Sequence, residues 1–593
     1  MMKRLTSNER KELVDAAMGR RRFDLLIKNI KLVNVFSGEI YPAEIGLNNG
    51  YIAHVEKIQK GNSLEAGADK VYDGMGRYAV PGFIDSHVHI ESSMVTPYNF
   101  AKIVIPKGTT TVVTDPHEIA NVMGLEGVEY MIEAGRDVPM YQFVLSPSCV
   151  PSVPGLEEAG AVFGKKEIER IIGMERVLGV AEVMDYYGVI NHSKRMSEIL
   201  DLALEKDCFI QGHFFGNSDR ELSAYLCAGP NTNHEFITGR DAKRALRAGM
   251  GVDARESSFA KNVKSIVDGI KGLHSPRNFT ICTDDREPKE IITKGHINDC
   301  LRIAIKSGLN RIDAIRAATI NTASLYGLKR LGAIGPGYIA NINLIDDLEG
   351  IHVESVFFEG SLVAENDELL VQIEPKEFPL EKINSVYLDG FSVDRLRIKA
   401  AIEKGRVKVR VIKYQDLETL VTETAFEEAT VRNGYVTLED REDLNFIAVF
   451  NRHKVSNNCA VGIVGNFCLS HGAVAGTVSH DCHNLCVVYT NLKDAVRAVE
   501  EVRRIGGGIV FSSGKVLRTI ALPVAGLMSR HEADKLIPDI DSMNEVLREA
   551  GIEFSNPVMR LATAALPVIP NIKITDLGLV DVVSQKLVGL FVQ

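Results

Sequence analysis

The stretch PGFIDSHVHIESS, from Pro81 to Ser93, is an apolar run that carries two histidines, His87 and His89. Its β-branched and aromatic content predicts a strand. Residues two apart on a strand share a face, so both imidazoles point the same way. Two imidazoles side by side at a strand's C-terminal end can grip one metal ion.

Outward from there, apolar strand-like runs alternate with helical segments: TTTVVTD (109–115), VEYMIEAGRD (128–137), YQFVLS (141–146). That alternation predicts βα units around a parallel sheet. From residue 76 to 331 the block has the length of one eight-fold β/α barrel, roughly 250 residues. Several of its strands end on polar residues. VLGVAEVMDYYG places Glu182 near a strand end, CFIQGHFFG places His213, NTNHEF places His234, and FTICTDDREP places Asp284 and Asp285. In a β/α barrel such residues line one common mouth. Neutral imidazoles and carboxylates suit zinc, iron or manganese. Adjacent strand residues face opposite ways, so only one of Asp284 and Asp285 is expected in the mouth. Asp284, first after the apolar run, is the choice.

The barrel block is flanked by short β-branched runs broken by Gly, Asn and Pro, at 23–58 and again at 340–366. A charged, helical segment precedes the first of them. Residues 1–75 therefore read as an N-terminal helix and the first part of a β unit, and 332–377 as its second part. Residues 378–593 read as a separate α/β domain, with strands VKVRVIKY and LNFIAVFNRHK, the helix NLKDAVRAVEEVRRI and a glycine cluster at Gly506, Gly507 and Gly508. The IGGGIV cluster lacks the spacing and lysine of a phosphate loop.

The composition sets limits. The chain has 593 residues, 45% hydrophobic and 25% charged, which is globular usage spread over several domains. The net charge is −10 with no long basic run, so no nucleic-acid footprint is expected. No apolar window reaches the length of a membrane span. The start lacks the apolar stretch of a secretory signal. The nine cysteines show no paired spacing and read as reduced thiols, which points to the cytoplasm.

PGFID-x-HxH followed by Glu, His, His and Asp in that order resembles the amidohydrolase superfamily. HIESSMVTP, VTDPHEIANVMG, SCVPS, GVINH, REL-x-AY-x-x-AG, RESS-x-AKN, CTDDREP and VSHDCHN resemble the adenine deaminase family over nearly the whole chain. The resemblance implies an amidohydrolase barrel, a β-sandwich built from both flanks, and a C-terminal domain of the family's type. It implies His87, His89, Glu182, His213, His234 and Asp284 as metal ligands, with Glu182 bridging in place of a carboxylated lysine, and manganese or iron as the ion. The implied reaction is hydrolytic deamination of a purine base. The implied assembly is a homo-oligomer, the usual outcome for such enzymes.

In that chemistry Asp284 serves as ligand and general base, and a donor is needed at ring nitrogen N1. TDPHEI offers Asp115, His117 and Glu118, of which a protonated Glu118 is the favoured donor. Asp115 and Glu118 also suit the capping of the following helix. Phe214, Phe215, Tyr186 and Tyr187 could stack on a purine or pack the barrel. The chain departs from the family pattern at these aromatic positions and at SVPGLEEAG (152–160), which leaves an N6-substituted adenine or another aminopurine open as substrate. A cyclic-amide hydrolase and an inactive binding paralogue are the competing readings. The lysine usual in the former, where Glu182 stands, and the complete ligand set weigh against them. SHDCHN, with His480, Asp481, His483 and Asn484, reads first as a hydrogen-bonded turn. An auxiliary site, or a loop reaching the barrel mouth, is its alternative.

Overall fold

The computed structural model describes all residues except 1–2, 60–62, 275, 380–384, 417–420, 555, 570 and 593. Eight parallel strands pair in chain order: β1 (Phe83–Val88), β2 (Thr109–Thr114), β3 (Tyr141–Pro147), β4 (Val177–Val183), β5 (Phe209–Gly212), β6 (Thr232–Asn233), β7 (Gly251–Arg255) and β8 (Phe279–Cys282). They are covered on both faces, so their residues are mostly buried without an alternating exposed set. Every residue of the β2 run TTTVVT is buried and β-branched. The ring closes where Val88 bridges Asp284. There the amide of Asp284 donates to His87 O at 3.0 Å, and the amide of His89 donates to Asp284 O at 3.2 Å.

Helices follow the strands and pack outside them. Ser218 starts the helix Asp219–Cys227 by accepting from the Glu221 amide at 3.2 Å, while Glu221 accepts from the Ser218 amide at 3.0 Å. The helices Gly239–Arg247 and Val263–Ile270 touch at Gly239 and Gly269, where only hydrogen separates the two backbones.

The flanks join in one nine-stranded mixed sheet. Tyr78–Pro81, just before β1, pairs antiparallel with Ile342–Ile345, beyond the barrel's last helices. The hydrogen bonding runs continuously from one flank into the other. Ile27, Leu32, Ile45, Ile342, Leu344 and Phe357 share one apolar core. The C-terminal region carries a second nine-stranded mixed sheet with the helices Leu492–Ile505 and Ala533–Glu549. Gly506, at φ 78°, ends the first of those helices, so the glycine cluster is a helix stop. The C-terminal region docks over the barrel mouth. The Ser529 amide donates to Met94 O at 2.7 Å, and Asn484 Nδ2 donates to Glu158 O at 2.9 Å. Among the described residues no helix is long and apolar enough to cross a membrane.

A Cβ on Gly269 would lie 2.2 Å from the Gly239 Cα. Replacing Gly269 by Ala therefore overpacks a backbone contact and should cost about 1–3 kcal/mol. A thermal melt checks this: the midpoint should fall. An unchanged midpoint would mean the two helices part without cost.

Candidate metal centre

The closing hydrogen bonds of the barrel run through the residues whose side chains meet at its mouth. His87, His89, Glu182, His213, His234 and Asp284 are all buried and converge there. Glu182 is central. Its Oε1 lies 2.6 Å from His87 Nε2, 3.1 Å from His89 Nε2 and 3.5 Å from His234 Nε2. Its Oε2 lies 3.0 Å from His213 Nδ1. Asp284 Oδ1 lies 3.3 Å from His87 Nε2 and 3.4 Å from His89 Nε2.

These donor sets fit a metal. Donors on one ion at about 2.1 Å stand about 3–3.4 Å apart. His87 Nε2 and His213 Nδ1 approach Glu182 closely, yet neither makes an aligned hydrogen bond, and both are buried. His89 is clearer still. Its Nδ1 lies 2.9 Å from the carbonyl of Asp115, which can only accept. Nδ1 therefore carries the hydrogen, and Nε2 faces oxygens of both Glu182 and Asp284. Two carboxylates on one nitrogen call for positive charge there, either a second proton on the ring, which burial opposes and the carboxylates favour, or a metal cation in its place. The rings of His87 and His234 stack at 4.3 Å, which disfavours a proton on each.

The electrostatics point the same way. Burial opposes the ionisation of Glu182, but His213, His234 and His87 outweigh it and hold the carboxyl well below the usual carboxylate range. Burial likewise opposes the ionisation of Asp284, and Arg255 with His87 and His89 overcomes it. Burial works against a charge on His87, yet Glu182 and Asp284 push its pKa up to about 10, so the cluster draws in positive charge.

A cavity of about 130 Å³ opens above the cluster. His117, Glu118, Phe215, His480 and Asp481 are among the residues on its wall. Asp115 Oδ2 accepts from His117 Nδ1 at 3.0 Å. The helix His117–Ala134 has no side-chain cap, so Asp115 and Glu118 are free of that duty. Glu118 Oε1 accepts from Ser92 Oγ at 2.8 Å and lies 3.5 Å from His480 Nδ1.

Several expected placements differ. Phe214 and Tyr186 lie off the cavity. β5 ends at Gly212, and the Phe214 ring turns outward onto Tyr186 at 5.5 Å and Tyr225 at 5.2 Å. Phe215 takes the cavity side, 4.9 Å from His213. Asp284 and Asp285 both line the cavity, because β8 ends at Cys282 and Asp284 has φ 56°, which breaks strand alternation. Burial, then Asp284, pushes the Asp285 pKa up to about 6. SHDCHN reaches the mouth and is more than a turn. His483 is no metal donor, because its Nδ1 accepts from the Ser479 amide at 3.1 Å and Nε2 must then hold the hydrogen.

The sequence reading missed Glu235 and Arg255. Arg255 Nη1 contacts both Glu235 Oε1 and, at 2.9 Å, Asp284 Oδ2, while Glu235 Oε1 lies 3.1 Å from His234 Nε2. Both met the strand-end criterion that found the other residues: Glu235 follows His234 and Arg255 ends β7. Thr563, Leu566, Val568 and Ile569 also line the cavity from an uncharged loop that carries no local signal.

The amidohydrolase family model matches residues 78–364, and the adenine deaminase C-terminal domain model matches residues 419–586. Adenine deaminase 2 of Carboxydothermus hydrogenoformans is 39% identical over 98% of this chain and 99% of its own length. The adenine deaminase of Kosmotoga olearia is 39% identical over the same shares, and that of Methanothrix thermoacetophila is 39% identical over 98% and 99%. End-to-end likeness at this level, on a barrel whose mouth gathers the imidazoles and carboxylates described above, leads to one conclusion: the chain belongs to the adenine deaminase family.

Proposed function

We propose that the protein hydrolyses adenine to hypoxanthine and ammonia at a divalent-metal centre. The observation that carries this is the cavity: apolar walls from Met184, Phe215, Phe259 and Leu566 over an imidazole–carboxylate floor, with Glu118 at the side. Apolar walls with a few placed polar groups suit a flat base. His87, His89 and Asp284 would hold one ion, His213 and His234 a second, with Glu182 between them. Manganese or iron is the ion that the family resemblance implies, and zinc also suits the donors. When bound, such ions make water nucleophilic at neutral pH by lowering its pKa towards about 7.

The chain's own groups manage the protons. Adenine and water give hypoxanthine and ammonia, so one water proton departs with the C6 nitrogen and the other is balanced by the hydrogen gained at N1. Asp284, kept ionised by Arg255, accepts a proton from the attacking water and returns it to the leaving amine. Glu118, held by Ser92 Oγ, donates to N1. Asp115 orients two rings at once, His89 through its carbonyl and His117 through its carboxylate. Leu566 and Ile569 add apolar surface to the cavity wall.

Ammonia release from adenine by the metal-loaded protein is the direct test. Glu118→Gln should lower kcat by about 10²–10⁴-fold with metal content unchanged. Unaltered kinetics in that variant would remove Glu118 from the proton path. Asp284→Asn should lose at least as much, with metal content measured beside the rate.

A second expectation concerns pH. Arg255 depresses the folded-state pKa of Asp284, so its ionised form persists as the pH falls. Arg255→Met removes that effect, the pKa rises, and protons displace metal at higher pH. The acid edge of metal retention should move up by about 1–3 units, measured as bound manganese after dialysis across a pH series. An edge that stays put would show that Arg255 does not govern Asp284.

A further inference from the structure

The proton path and the proposed metal donor set leave Asp481 without a part. Asp481, brought in by the C-terminal region, lines the cavity beside His480. Its Oδ1 lies 3.8 Å from His117 Nε2 and 3.9 Å from His480 Nδ1. Its Oδ2 is buried and has no hydrogen-bond partner. Of the other lining carboxylates, Glu182 and Asp284 belong to the proposed metal donor set, Glu235 pairs with Arg255, and Glu118 and Asp285 share the single hydroxyl of Ser92. A buried acceptor left without a donor is costly, and a bound molecule bringing an N–H relieves that cost.

On a purine base the six-membered edge, with its C6 amine and N1, is taken up by the reaction. The remaining strong donor is the N–H of the five-membered ring. A free base carries it at N9, whereas a nucleoside has its sugar there and no hydrogen. We propose that Asp481 accepts the N9–H of the bound base and thereby selects the free base over the nucleoside. This rests on the purine deamination reading and adds to it a residue that sets specificity. A site built to accept an N–H rejects the analogue that lacks it by large factors, about 10⁴–10⁵ in favourable cases.

The test is a two-by-two comparison on the metal-loaded full chain. Wild type and Asp481→Asn, an isosteric change that spares the fold, are assayed on adenine and on 9-methyladenine, with Asp481→Ala as a roomier second variant. The wild type should reject 9-methyladenine. The variants should lose about 100-fold or more in kcat/KM on adenine while keeping metal, and should lose most of the discrimination between the two bases. Loss by the same factor on both substrates, or no loss on adenine, overturns the proposal. Calorimetric binding of hypoxanthine and 9-methylhypoxanthine repeats the comparison without turnover. A wild type that binds hypoxanthine yet releases no ammonia from adenine would overturn the reaction and leave Asp481's role to the binding data. A variant that binds both bases equally weakly overturns the role of Asp481 alone.

Discussion

A neutral imidazole whose Nδ1–H is spent on a backbone carbonyl has only a lone pair to offer at Nε2. Asp115 O fixes the Nδ1 hydrogen of His89, so Nε2 is what the ring turns to the oxygens of Glu182 and Asp284, and it meets them with a proton or with a bound cation. The mouth of the barrel is built around this mismatch. It is tolerable only with positive charge at the focus, and the surroundings supply what a single ion does not. Arg255 spans Glu235 and Asp284, so one largely buried guanidinium balances two carboxylates. Removing either partner of such a buried pair is more damaging than the pair is stabilising. The polar shell and the donor set therefore stand or fall together.

Backbone and side chains are coupled at the same spot. The hydrogen bonds that join β8 to β1 belong to His87, His89 and Asp284, so the ring cannot open there without displacing three donors. His87 and Glu182 stand on strands and the other four donors within two residues of a strand end, which positions them more closely than free loops would.

This also explains what could be read in advance. Within strands the two-residue period is strict, so His87 and His89 were legible from spacing, and Glu182 from its place near the end of an apolar run. The period fails as soon as a strand ends. Asp284 and Asp285 lie beyond Cys282, so alternation admitted one aspartate where both enter, and Phe214 and Phe215 lie beyond Gly212, where closeness in sequence to His213 could not tell which ring faces the cavity. The segments containing His480, Asp481 and Leu566 come to the mouth through long-range docking of the C-terminal region. Nothing in their local composition encodes that docking. Glu235 and Arg255 met the same strand-end criterion as the others but were masked by a more conspicuous neighbour and a short strand.

The pairing of Tyr78–Pro81 with Ile342–Ile345 makes the whole barrel an insertion within a β-sheet. As the chain leaves the ribosome, the strands before residue 81 are complete, but their sheet ends in an unpaired edge until residue 345 has emerged. Such an edge invites pairing with other chains, and contacts this far apart in sequence form slowly. The barrel gathers beside a half-built sheet, and the late strands then clasp the edge and fasten the two ends of the barrel to each other. The order of synthesis thus makes the last flank a buckle: until it arrives, the barrel's two ends are tied only by its own closing strands.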